Sequence, residues 1–171
     1  MLQIFRQITC FVFDVDGVLT DGSLLIMDDG QMLRRMSIKD GYAIQLAIKK
    51  GYQVVIISGG DSEGVKIRMN KLGVKDVFLK VTDKKQQLDD FLKLNNIALA
   101  HVLFMGDDIP DYAVMKKAGL ACCPADAAPE IKQISKYITV RKGGEGCARE
   151  VIEKVLKLNN HWEIDTMVSG K

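Results

Sequence analysis

The chain has 171 residues, 47% of them apolar and 27% charged, with a net charge of +2. That balance fits one soluble domain with a full core, and it gives no reason to expect nucleic acid or an anionic membrane as a partner. No apolar run approaches the ~20 residues of a membrane span, and the first residues do not follow the order of a secretion signal, so the expected location is cytoplasmic.

Residues 8–13, Ile-Thr-Cys-Phe-Val-Phe, predict a strand buried on both faces, as in parallel sheets. Asp14 and Asp16 follow at once, in Phe-Asp-Val-Asp-Gly-Val-Leu-Thr. Gly17 turns the chain, so both carboxylates are expected at the strand's C-terminal edge, where open α/β sheets bind ligands. Residues 23–27 and 31–36 flank Asp28-Asp29-Gly30, a hairpin signal, because Asp-Gly accepts the positive φ of a tight turn. A helix over 40–50 ends at Gly51 and a strand covers 54–57. Asp61 or Ser62 then caps a helix to about Leu72. A short strand at 77–79 precedes a helix capped by Asp83 and running to about Asn95. Then come a strand at 102–105, a helix over 110–117 and a strand at 120–122. A helix at 129–134, a strand at 137–140 and a helix over 145–158 complete the pattern.

This alternation implies an α/β fold, a doubly wound, Rossmann-like parallel sheet with helices on both faces. Residues 1–158 form the expected single domain, with a small β-hairpin at about 23–36, and 159–171 an expected mobile tail. The four cysteines, Cys10, Cys122, Cys123 and Cys147, fit no zinc spacing and are expected to be buried thiols.

Three polar clusters follow apolar strands: Asp14 and Asp16, then Ser58-Gly59-Gly60, then Asp107-Asp108 with Asp111 beyond. In a parallel sheet all three leave one edge and converge on one crevice. Asp-x-Asp-Gly also occurs in turns and calcium loops. A helix-loop-helix calcium site, however, needs further acids and a closing Glu, and here a strand precedes the motif. Asp107 and Asp108 also suit the start of a helix at Pro110. Two carboxylates about 4 Å apart repel by roughly 4 kcal/mol at an effective dielectric near 20, so a cluster of four or five needs a cation. A site that keeps waters and substrate phosphate suits Mg²⁺. The expected ligands are Asp14, Asp107 and the backbone carbonyl of Asp16, with Asp108 and Asp111 behind them.

A metal beside a carboxylate nucleophile points to phosphoryl transfer, with Asp14 as nucleophile and Asp16 as acid/base partner. Ser58 and the Gly59 and Gly60 amides are candidate phosphate donors. Lys84, opening a helix after Thr82-Asp83, is the best-placed cation, although position alone does not separate it from Lys80 or Lys85.

These residues resemble the haloacid dehalogenase superfamily. The likeness runs in order through Asp14-Val15-Asp16-Gly17-Val18, Ile57-Ser58-Gly59, Lys84 and Gly106-Asp107-Asp108-Ile109-Pro110-Asp111. It implies Asp14 as nucleophile, Asp16 as general acid/base, Ser58 and Lys84 as phosphate ligands and Asp107 as a Mg²⁺ ligand. Only a hairpin and a helix separate Asp16 from Ser58, and only a helix and a short strand separate Ser58 from Lys84, so no cap domain fits. The chain thus resembles the capless phosphatases of 3-deoxy-D-manno-octulosonate 8-phosphate, which form tetramers where a neighbour's hairpin covers the site. Thr20-Asp21-Gly22, Ile38-Lys39-Asp40-Gly41-Tyr42 and residues 143–150 extend the likeness over nearly all of 8–158.

Many of these phosphatases carry Arg after the Ser/Thr-Gly pair, and relatives acting on a nine-carbon keto-deoxy acid carry Glu. This chain has Gly60. Arg68 and Lys71 are then candidates for the substrate carboxylate, each also readable as surface charge, and Arg149 is a subunit contact or a helix-surface residue. The expected partner is a phosphorylated sugar acid, in a homotetramer. The nine-carbon phosphatase, a phosphotransferase and a non-catalytic binding or oligomerisation module are the alternatives.

Overall fold

The structure is a computed structural model that describes residues 1–169. At its centre lies β1 (Cys10–Phe13), every residue of it buried. It pairs in parallel with β4 (Gln53–Ile57) and β6 (Val102–Met105). Beyond these lie β5 (Asp76–Phe78), β7 (Leu120–Cys123) and β8 (Tyr137–Ile138), giving the order β5-β4-β1-β6-β7-β8, all parallel. The expected doubly wound sheet is therefore present, and its winding reverses at β1, where a crevice opens at the strand ends.

Side chains alternate across each strand, and the sheet has two apolar faces. Phe11, Phe13, Ile56 and Met105 pack with α1 (Leu2–Arg6), α2 (Ile38–Lys49), α3 (Glu63–Lys71) and α7 (Cys147–Leu158). Cys10, Val12, Ile57 and Phe104 pack with α4 (Lys84–Asn95), α5 (Tyr112–Met115) and α6 (Pro129–Ile134). All four cysteines are free and buried, as expected. The helix starts carry side-chain caps: Ser37 accepts from Lys39 N at 3.2 Å, Ser62 from Val65 N at 3.3 Å and Asp83 from Gln86 N at 2.9 Å. Among the described residues no helix is long and apolar enough to cross a membrane.

Several elements differ from expectation. The short helix α1 has no periodicity to betray it; Phe5 anchors it, edge-on to Tyr137 at 5.3 Å between ring centroids. The helix expected over 110–117 is a 3-10 turn, Ile109–Asp111, followed by the four residues of α5. The hairpin shortens to β2 (Leu25–Ile26) and β3 (Met32–Leu33), all exposed.

The expected mobile tail is seated on its own chain. The Trp162 ring lies 6.1 Å from that of Tyr42, and the Arg149 guanidinium lies 5.3 Å from Trp162 and 5.5 Å from Tyr42. His161 bonds Tyr52 at 2.9 Å, and Glu163 pairs with Lys50 at 3.0 Å. Arg149 thus holds the tail. Truncation after Leu158 is expected to lower stability by about 1–2 kcal/mol with little change in kcat. Denaturant midpoints and steady-state rates on the truncated chain check this; a fall in kcat at unchanged stability would contradict it.

Candidate active site

Each polar residue of the site is placed by the end of a buried strand or the start of a helix. Asp14 follows β1 and its amide donates to Met105 O of β6 at 3.0 Å, so the carboxylate emerges between two strands. Ser58 follows β4, Lys84 is the first residue of α4, and Asp107 and Asp111 follow β6. Between Asp14 and Thr20 the backbone kinks, with Gly17 at φ +85°. A carbon added at Gly17 would overlap the Asp107 carboxylate, so a bare backbone is what lets these two strand ends meet.

Asp14, Asp16, Ser58, Gly59, Gly60, Lys84, Asp107, Asp108 and Asp111 border one cleft of about 310 Å³. A larger recess of about 660 Å³ runs along α7, lined by Lys39, Glu150, Glu153 and Lys154 and by none of these groups. The carboxylates and the lysine gather in the smaller space.

Lys84 Nζ sits 3.0 Å from Asp14 Oδ1 and 2.7 Å from Asp111 Oδ1, with all three side chains buried. Asp111 also accepts from the Asp107 amide at 3.1 Å. Burial, then the charge of Asp111, pushes Asp14 up to about 6, with Lys84 offsetting part of the effect. Burial, then the charges of Asp14 and Asp111, pushes Asp107 up to about 7. Burial works against the charged form of Lys84, but its two carboxylate neighbours win and raise it above the usual lysine range.

One ammonium cannot neutralise three acids. Oxygens of Asp14, Asp107 and Asp111 lie within 4.8 Å of one another, and Asp14 Oδ1, although ion-paired with Lys84, is buried with no aligned hydrogen bond. Hard oxygen donors, unneutralised charge and an open lone pair fit a divalent cation of the Mg²⁺ kind.

The structure modifies the expected site in three places. Asp111, expected behind the ligands, stands in the carboxylate cluster itself, because the 3-10 turn after Asp108 points it back at Lys84. Arg68 reaches instead to Ser37 O at 3.3 Å, and Lys71 is exposed at the end of α3; neither borders the cleft. Arg34, absent from the sequence reading, meets Asp16 with Nε at 2.7 Å from Oδ1 and Nη2 at 3.1 Å from Oδ2. The signal was strand alternation. Thr20 bridges Met36, which packs against the core, so Arg34 shares the inward side and Arg35 faces out to Asp21 at 2.8 Å.

A family model described as haloacid dehalogenase-like hydrolase matches residues 69–151. The chain is 35% identical to 3-deoxy-D-manno-octulosonate 8-phosphate phosphatase KdsC of Escherichia coli K12 over 151 residues, 88% of this chain and 80% of that one. It superposes on the crystal structure of 3-deoxy-D-manno-octulosonate 8-phosphate phosphatase from Yersinia pestis with a TM-score of 0.91, at 31% identity, covering 94% of this chain and 86% of that one. The phosphatase of that name from Moraxella catarrhalis, in complex with a magnesium ion, a phosphate ion and a KDO molecule, gives a TM-score of 0.90 at 32% identity, covering 94% and 92%. Likeness of this extent, in sequence and in fold alike, makes the chain a member of the haloacid dehalogenase-like hydrolases, in the family of the 3-deoxy-D-manno-octulosonate 8-phosphate phosphatases.

Proposed function

We propose that this enzyme is a Mg²⁺-dependent phosphatase that hydrolyses 3-deoxy-D-manno-octulosonate 8-phosphate to the free sugar acid and phosphate through an aspartyl-phosphate on Asp14. The observation that carries this reading is the buried Asp14 carboxylate, held 3.0 Å from Lys84 and within ligand reach of Asp107 and Asp111. The family's named substrate supports the choice of sugar.

Asp14, Asp107 and Asp111, with the backbone carbonyl of Asp16, would hold Mg²⁺, which when bound offsets the repulsion between phosphate oxygens and these carboxylates. Lys84, the Ser58 hydroxyl and the Gly59 amide grip the phosphate oxygens, while the Gly60 amide donates to Ser58 Oγ at 3.2 Å and orients it. Asp14 attacks phosphorus in line with the departing sugar oxygen. Asp16 gives that oxygen a proton, then takes one from the water that frees Asp14. Splitting the reaction in two gives each displacement its own nucleophile, Asp14 in the first and the water activated by Asp16 in the second.

The cleft is shallow and, among the described residues, carries no cap over it. The exposed apolar side chains of Leu25, Ile26 and Met32 on the hairpin support a homotetramer in which each hairpin covers a neighbour's cleft. Four free buried thiols support a cytoplasmic location.

Paired kcat/KM values on the eight-carbon 8-phosphate, a nine-carbon keto-deoxy 9-phosphate and an aryl phosphate, with and without Mg²⁺, test the reading. The eight-carbon ester is expected to lead by roughly tenfold or more, as a site fitted to a sugar one carbon shorter allows. Preference for the nine-carbon ester would overturn the substrate, and activity without divalent metal would overturn the mechanism.

A further inference from the structure

We propose that Arg34 is a positioning residue that fixes the Asp16 carboxylate for proton transfer, so that the hairpin sets the geometry of the acid/base group. The inference rests on the phosphatase reading above and adds to it a residue that acts through Asp16.

Arg34 follows β3 on an exposed hairpin, yet its side chain is only 7% exposed. Its neighbours Leu33 and Arg35 face solvent, at 46% and 83%. A buried guanidinium on an exposed ribbon is there for what it touches. Nε and Nη2 take the two oxygens of Asp16 as a fork, and Nη1 donates to Met32 O at 3.2 Å, which ties the fork to the hairpin backbone. Among the described residues Arg34 is the sole hydrogen-bond donor to that carboxylate. Asp16 itself stands on the kinked turn after β1, with its side chain 36% exposed, a place where an untethered carboxylate would sample several rotamers. A fork occupies one lone pair on each oxygen and leaves the others for a proton and the cleft.

Gly60 leaves the fork its room. Gly60 is not among the positive-φ glycines, so backbone freedom does not explain it. A carbon added there would lie 3.0 Å from Asp16 Oδ2 and 3.2 Å from Arg34 Nη2. The bare position leaves room for a cation that comes from the hairpin rather than from β4's own loop. The missing side chain at 60 and the buried arginine at 34 are two halves of one arrangement.

Proton donation matters most when the leaving oxygen is basic. A sugar alkoxide needs it, whereas a nitrophenolate leaves largely unaided. Arg34→Met is therefore expected to lower kcat on the sugar phosphate by about 10²-fold. The single-turnover burst of nitrophenol from an aryl phosphate should stay within about threefold. Arg34→Lys, which keeps the charge but not the fork, should recover only part of the loss. Asp16→Asn should show the same leaving-group split, and the double variant Arg34→Met/Asp16→Asn no loss beyond it, because the two residues act as one unit.

Equal losses on both substrates would mark Arg34 as merely structural and overturn the proposal. A raised KM for the sugar phosphate at unchanged kcat would make it a substrate ligand and overturn it too. If Asp16→Asn shows the split and Arg34→Met does not, the proposal alone fails. If Asp16→Asn lacks the split, the acid/base reading fails and takes the proposal with it.

Discussion

Replacing Asp14 with asparagine is expected to lower kcat by roughly 10⁴-fold or more, with no phosphorylated enzyme recovered after rapid acid quench. The amide is nearly isosteric, so packing around β1 survives, but it cannot accept phosphorus and release it to water. Its effect on the folded state should run the other way. Asp14 sits among Asp107 and Asp111 with one ammonium between them, and removing one of the three charges relieves repulsion in a buried site. Lys84 keeps Asp111 at 2.7 Å as its partner. The melting temperature of metal-free Asp14→Asn is therefore expected to equal or exceed that of the parent. Inactivity together with a lower melting temperature would mean the residue is structural. Undiminished activity would end its assignment as nucleophile.

The second large effect is the dependence of Mg²⁺ stabilisation on pH. Burial raises Asp14 to about 6, Asp107 to about 7 and, away from the cleft, Asp40 to about 6, from an ordinary 3.8. The folded chain therefore holds protons that the unfolded chain has released. Metal-free stability accordingly falls as pH rises from about 4 through about 7. The ion binds the ionised carboxylates, so its contribution grows over the same window. At pH 8, Mg²⁺ at 100 times its Kd adds about 2.7 kcal/mol, about 5–11 °C for a chain of this size. At pH 5 the shift should nearly vanish. Thermal melts at both pH values, with and without the ion, measure it, and equal shifts would contradict the carboxylate site. Asp40→Asn serves as the control. That carboxylate accepts from Arg149 N at 2.7 Å and its Oδ2 is buried without a partner. The variant should flatten the metal-free pH dependence and leave the Mg²⁺ shift in place.

The winding of the sheet was legible because its strands are short apolar runs between amphipathic helices, and burial on both faces leaves little choice for such runs. The crevice followed from topology, since acids placed directly after three strands must share one edge. What escaped the sequence depends on tertiary contact. The turn after Asp108 carries Asp111 back to Lys84, a reversal that helix-start chemistry does not distinguish from ordinary capping. Arg68 stands on the helix that follows the Ser58-Gly59-Gly60 cluster, but α3 turns it toward Ser37. Arg34 lies between β3 and the Thr20–Met36 bridge, and alternation shows its inward side only once that bridge fixes the register. The tail has no period at all. It is seated by the edge-on contact of Trp162 with Tyr42 and by the Arg149 guanidinium over the Trp162 ring, both beyond the reach of local sequence pattern.

The central strand β1 is made first, but its two neighbours are residues 53–57 and 102–105. A chain still emerging from the ribosome therefore carries Asp14 long before it carries Asp107 and Asp111. A fragment ending after β5 would leave one side of β1 bare, an adhesive edge, and could hydrolyse nothing. The cleft is complete only late in synthesis, when the sheet closes around its oldest strand.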